Sequence, residues 1–442
     1  MELALLAIGS RGDVQPFAAL ALALRRAGHA ARLVGLADYA GLATDYGLPY
    51  TAVVGSAAEL MDRELVHGAL DAAGGALPLG FARRFLAQVE PLVARLCAEC
   101  LRACAGAGAL VASTLGLYPG LFVAERLGLP LVPAHFHPQG ATGTMPDVSF
   151  AAPPPWAPLA GLYNRATHGL AAHGLWQLLR GPLNRARREA GLAPLGAPAL
   201  WARVRRPAPL TLYGYSAAVA PPPADWPPGR LVTGYWALEA PAGWAPPPEL
   251  ARFLAAGPPP VYLGFGSVLA GRDPAAVTAL LVEALRRAGR RGLIYRGAWG
   301  DLAPGALPEG VMAIDATPHD WLFPRVAAVV THGGAGTVAA ALRAGAPVVC
   351  VPSYGDQRFW GRRVAALGVG PPPIPRRELE AGRLAAAIGA ACADGAMREQ
   401  AAAIGAALWA EDGAARAAEA LDAALAARPA GGRAPHLAEG RP

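Results

Sequence analysis

Short apolar runs, each followed by a stretch of helical periodicity, recur along this chain in two series, and no other feature narrows its possible folds as far. Residues 3–8 read as a strand and 14–27 as a helix whose Leu20, Ala23, Leu24 and Ala27 share one face, stopped at Gly28. Strand-like runs follow at 31–36, 109–112 and 130–134, with a helix over 118–127. The pattern resumes after Pro260 with strands at 261–265, 293–295, 311–314, 327–330 and 348–351 and helices at 275–288, 336–344 and 357–367. Strands separated by helices of this length pair as a parallel sheet with helices on both faces, so an α/β fold of two Rossmann-like, doubly wound domains is expected.

At 442 residues the chain exceeds one ordinary core. The expected division is an N-terminal domain over 1–215, a Pro-rich linker over 216–258, a C-terminal domain over 259–427 and a disordered tail over 428–442. Proline cannot supply ladder hydrogen bonds, so the triplets at 221–223 and 246–248 argue for a surface linker. Within the first domain, 137–160 is irregular and rich in Pro and Gly, and a helical segment follows to about 190; such an excursion usually builds a pocket wall.

Composition excludes several classes of function. The chain is 54% apolar and 16% charged, a globular balance. No apolar run reaches the roughly 18 residues a membrane span needs, so no membrane insertion is expected. The N-terminus lacks the basic start and small-residue cleavage site of a signal peptide, which makes a cytoplasmic location the expectation. The net charge of +7 comes from arginines scattered in ones and twos, without the basic run that tracks a phosphate backbone, so no nucleic-acid partner is expected. Cys97, Cys100 and Cys104 fall on one face of a helix over 91–105 and lack a fourth metal ligand, which reads as buried core, as does Cys350.

Two clusters carry chemistry. In His332-Gly333-Gly334-Ala335-Gly336-Thr337 a strand turns into a helix. Its glycines let the backbone approach an anion, helix-start N–H groups point at it, and His332 and Thr337 add donors. A glycine-rich turn with nothing bound would look the same. One βα unit later, Asp356 could accept from two sugar hydroxyls while Gln357 donates and accepts; Asp356 as a simple N-cap is the alternative. Gly264-Phe265-Gly266-Ser267 repeats the pattern of strand end, glycine and hydroxyl. At the first strand end, Asp13 serves either as a helix N-cap or as a base that removes the proton of an acceptor hydroxyl. His135 and His137 alternate at strand spacing and could share one face of an acceptor pocket. Trp156, Tyr163, Trp176 and Trp201 either line a lipophilic cleft or belong to the core, and Trp321 reads as a packing residue.

Taken together, GSRGDVQP (9–16), VYLGFGS (261–267), PHDWLFPR (318–325), HGGAGT (332–337) and GDQRFW (355–360) resemble the family 1 glycosyltransferases of GT-B fold. The resemblance is to the branch holding the sterol glucosyltransferases and the actinobacterial antibiotic glycosyltransferases. It implies two domains facing a central cleft and an inverting transfer by direct displacement, without metal or cofactor. The partners implied are a UDP- or dTDP-hexose as co-substrate and a lipophilic small molecule as acceptor. Asp13 matches the base; Ser267, His332, Gly334, Gly336 and Thr337 match the diphosphate contacts; Asp356 and Gln357 match the sugar binders; Ser10, Gly12 and Gly333 are further donor-binding candidates. A sterol or lipid 3-O-glucosyltransferase and a non-catalytic nucleotide-sugar-binding protein are the alternatives.

Overall fold

The computed structural model describes residues 1–56, 79–154, 156–197, 209–266, 273–297 and 307–427, with backbone alone for 79–90. Ser267, Trp201 and the tail 428–442 lie outside the described residues. The chain forms two compact units. The first takes residues 1–217, 221–238 and those from 412 onward, and the second takes 218–220 and 239–411.

The first unit is built on β1 (Glu2–Ala7), α1 (Arg11–Arg26), β2 (Ala30–Leu36), α2 (Ala40–Asp45), β3 (Tyr50–Val53), α3 (Leu79–Ala103), β4 (Ala109–Ala112), α4 (Leu117–Leu127), β5 (Leu131–His135), α5 (Ala160–Glu189), β6 (Thr211–Tyr213) and β7 (Arg230–Val232). Its seven strands are all parallel, in the order β3-β2-β1-β4-β5-β6-β7. Leu3 to Ala7 are wholly buried because helices cover both faces of a parallel sheet, which is why β1 is continuously apolar from Leu3 onward. The order reverses between β1 and β4, the point at which open sheets of this kind bind ligands beyond the strand ends. Ser113 ties those two ends together, its N–H donating to Leu6 O (3.0 Å) and its hydroxyl to Ile8 O (2.9 Å).

The second unit contains α6 (Pro248–Ala255), β8 (Val261–Gly264), α7 (Pro274–Ala288), β9 (Gly292–Tyr295), β10 (Val311–Ile314), α8 (His319–Leu322), β11 (Ala328–Thr331), α9 (Ala335–Arg343), β12 (Val348–Cys350), α10 (Gln357–Ala366), α11 (Ala381–Ala393) and α12 (Gly395–Trp409). Five parallel strands run in the order β10-β9-β8-β11-β12, again reversing beside the first strand. All five strands expected from sequence are present, each within a residue of its expected limits.

Three expectations change. Asp13 is not the N-cap of α1. Ser10 holds that place in extended conformation, and Asp13 is the third helical residue. The stretch expected to be linker supplies β7, whose three residues pair with β6 between proline clusters. The last described helix, α13 (Gly413–Ala426), belongs to the first unit rather than to the C-terminal domain. It packs on α1, and the His29 imidazole lies 3.4 Å from Asp422. The cysteine reading holds: Cys97, Cys100, Cys104 and Cys350 are all buried, and burial pushes Cys97, Cys104 and Cys350 up to about 12, so these thiols stay protonated.

Candidate functional site

In the second unit three sequence-distant motifs meet around one imidazole. β11 ends at buried Thr331, the chain turns through Gly333 (φ +85°), and α9 begins after Gly334. A Cβ on Gly334 would lie 2.5 Å from His332 Nε2, and one on Gly266 would lie 3.5 Å from Cε1, so both glycines make room for the ring. A Cβ on Gly333 would lie 3.0 Å from the Gln357 carbonyl oxygen, which seats the start of α10 against this turn. The His332 ring also bonds the Gly264 carbonyl and feels the Asp356 carboxylate. Burial nevertheless wins and lowers its pKa, so at neutral pH it is an uncharged imidazole whose one N–H goes to the Gly264 carbonyl. Beside it, the N–H groups of Ala335, Gly336 and Thr337 open α9 with no acceptor within the helix.

Asp356 stands at the N-cap position of α10, yet its side chain makes no capping bond. Its Oδ2 instead accepts from Trp360 Nε1 at 3.0 Å, one turn along the helix. Trp360 is wholly buried and therefore a rigid support. Gln357 is buried too, and its Oε1 accepts from the N–H groups of Ser353 (2.9 Å) and Tyr354 (3.3 Å). Two donors on Oε1 settle which end of the amide is oxygen and leave Nε2 as the end available to a ligand. Trp360 was not singled out by sequence reasoning; its signal was the i, i+4 spacing from Asp356.

The neighbouring aromatics are packing groups. The His319 ring stacks on Phe323 at 4.2 Å, and Trp321 packs edge-on against Trp244 at 5.3 Å under the Arg325 guanidinium.

In the first unit, Asp13 Oδ2 accepts from the N–H (2.8 Å) and hydroxyl (3.0 Å) of Ser10. The carboxylate folds back over Gly9 (φ +144°), where any Cβ would collide with it. Gly12 is exposed on the same turn. The histidines split in character. His135, at the end of β5, is buried and hydrogen-bonded through Nδ1 to Thr114 (2.9 Å). His137 is half-buried and paired with Gln139 (2.7 Å), its ring 6.5 Å from that of His135. Asp225 accepts from Thr142, from Gly143 N–H (2.8 Å) and from Arg165 (2.9 Å), pinning the irregular excursion to α5; these bonds bring its carboxyl down to about 2. Of the excursion's aromatics, Trp176 is core and Trp156 is exposed.

Burial, reinforced by His137 and Arg230, lowers the His135 pKa to about 3. Between that value and roughly 6.5 the unfolded chain binds a proton that the folded chain does not, so stability present above pH 6.5 is lost as pH falls. Urea midpoints taken from pH 6.5 down to pH 5 should therefore show a loss of about 2 kcal/mol attributable to this residue, absent in His135→Asn. An unchanged acid slope in the variant would show that His135 titrates normally.

The comparisons fit this geometry. Residues 3–146 match the glycosyltransferase family 28 N-terminal domain, and residues 300–423 match the erythromycin biosynthesis protein CIII-like C-terminal domain. The chain is 37% identical to O-mycaminosyltylonolide 6-deoxyallosyltransferase of Streptomyces fradiae, over 93% of this chain and 95% of that protein. It is 34% identical to the sterol 3-beta-glucosyltransferase of Emericella nidulans over 95% of its own length, but spans only 30% of that larger protein. Among solved structures, the glycotransferase of kitacinnamycin superposes with a TM-score of 0.66 at 20% identity, covering 96% of this chain and 98% of that one. VinC in complex with dTDP gives 0.64 at 21% identity, covering 96% of this chain and all of that one. At such identities the two structures speak for the fold alone. Two parallel-sheet units, motifs gathered at their strand ends and the near full-length match to the Streptomyces fradiae enzyme place the chain in the GT-B branch of the family 1 glycosyltransferases that holds the antibiotic and sterol enzymes.

Proposed function

We propose that this glycosyltransferase moves a hexose from a UDP- or dTDP-sugar to a hydroxyl of a lipophilic small molecule, by direct displacement with inversion. The observation that carries the reading is the convergence of His332, the Gly264–Gly266 turn, the start of α9 and Asp356-Gln357 around one position in the second unit. Thr337 and the first N–H groups of α9 suit a diphosphate whose negative charge grows as it leaves, and the neutral His332 ring, bonded to the Gly264 carbonyl, holds the turn that presents them. Asp356, braced by Trp360, accepts from sugar hydroxyls, and Gln357 Nε2 donates to one.

Asp13 takes the acceptor hydroxyl's proton as that oxygen bonds to the anomeric carbon; the bond to the diphosphate breaks and the leaving group keeps the electron pair. Neither a metal nor a cofactor enters this scheme. The Streptomyces fradiae relative, matched along its length, favours a natural-product acceptor, while the sterol glucosyltransferases keep a sterol as the second candidate.

The test is mass-spectrometric detection of transfer from UDP- and dTDP-hexoses to a panel of polyketide, macrolide and sterol aglycones, with excess EDTA. A product of added hexose mass with inverted anomeric configuration is expected. Retention of configuration, or activity abolished by EDTA and restored by a divalent ion, would overturn the mechanism.

A further inference from the structure

Helix α5 is inside-out over its first three turns. Its inward positions hold Asn164, Thr167 and His168, all buried and committed to the 143–147 segment. Asn164 Nδ2 donates to Gly143 O (2.9 Å), Thr167 Oγ1 accepts from Asp147 N–H (2.9 Å), and His168 Nε2 meets Met145 O (3.1 Å). The outward positions hold leucines: Leu159 just before the helix is 68% exposed, Leu162 65% and Leu170 61%. Trp156, in the preceding loop, is 81% exposed, and Tyr163 fastens that loop by donating to Ala151 O (3.0 Å). Leu159, Leu162 and Leu170 recur at helical spacing, so they form one stripe about 16 Å long with Trp156 at its head.

Water is the wrong solvent for this stripe, and a helix that buries its polar side chains to present leucines outward is suited to an apolar medium. Charge identifies the medium. Between Asp147 and Glu189 the sequence contains no acidic residue, whereas Arg180, Arg185 and Arg188 are exposed on α5; Arg165 is exposed as well but is paired with Asp225. Arg180 lies on the stripe's own face, five turns beyond Leu162. Apolar and indole groups flanked by guanidinium groups match the boundary between acyl chains and anionic headgroups.

We propose that this face of α5, led by Trp156, docks on the surface of an anionic lipid bilayer. The inference stands on the helix face and does not depend on the identity of the acceptor. The helix lies along the headgroup boundary without crossing it, since no described helix is long and apolar enough to span a membrane.

The test is sedimentation of the full chain with vesicles of phosphatidylcholine alone and of an equal mixture of phosphatidylcholine and phosphatidylglycerol. The wild type should pellet with the mixed vesicles, less with neutral ones, and less again in high salt. Leu159→Ser, Leu162→Ser and Leu170→Ser together should reduce partitioning by about tenfold or more while leaving the thermal midpoint unchanged, because these side chains already face water. No pelleting of the wild type, or equal pelleting of the triple variant, overturns the proposal. So does a wild-type dimer in analytical ultracentrifugation that the triple variant converts to monomer, since the face would then pair with a second copy. A raised KM for a water-soluble acceptor in the absence of lipid would assign the stripe to acceptor recognition and overturn it as well.

Discussion

Asp13→Asn lowers the rate of sugar transfer by about 10²–10⁴-fold, the range that a positioned general base supplies. The carboxamide is isosteric but takes up no proton at neutral pH, so the acceptor hydroxyl would attack while still fully protonated. The change is mild in structural terms: the Asn side-chain oxygen can still accept from Ser10 N–H, the bond that Asp13 Oδ2 makes at 2.8 Å. Loss of the charged acceptor at the third position of α1 destabilises that helix start by about 1 kcal/mol or less. Single-turnover transfer and donor calorimetry separate the two effects. The expected outcome is a slow enzyme whose donor affinity stays within a few-fold of wild type. Transfer within threefold of wild type would reduce Asp13 to a helix-start residue.

Arg187→Ala destabilises the first unit by about 3 kcal/mol or more. Arg187 is 3% exposed and meets both oxygens of Glu125 (2.6 and 3.1 Å), while its Nε donates to Ala193 O at 2.8 Å. One guanidinium thereby clamps α4 to the C-terminal end of α5 and to the loop after it. Removing it takes the two-point guanidinium contact from the Glu125 carboxylate and opens space beside Trp176 and Leu183, where a cavity of about 10 Å³ already exists. The double replacement Glu125→Leu with Arg187→Met should recover most of the loss, because apolar groups of similar volume avoid the desolvation of two charges. Urea unfolding followed by tryptophan fluorescence reads both. A single variant within 1 kcal/mol of wild type would show that the pair is dispensable.

The sequence missed β3, β6 and β7. The first has four residues and the others three, too few for a period to emerge, and β7 stands between prolines. Such strands exist because neighbouring strands offer them a ladder. Asp13 was misplaced by three residues because serine and aspartate are both good caps, and only backbone conformation tells which one opens the helix. Asp356 shows the converse: it occupies a cap position, but its carboxylate is held by Trp360 and leaves the helix end uncapped.

By itself the sequence determined the α/β class, the five strands of the second unit, the buried cysteines and the family, because each is written in local period or contiguous motif. Tertiary structure alone decided that His332 stays neutral, since desolvation by its surroundings outweighs the attraction of Asp356. Packing likewise orients the Gln357 amide and turns the polar side of α5 inward. Burial and hydrogen-bond partnership arise between residues far apart along the chain, and no local pattern carries them.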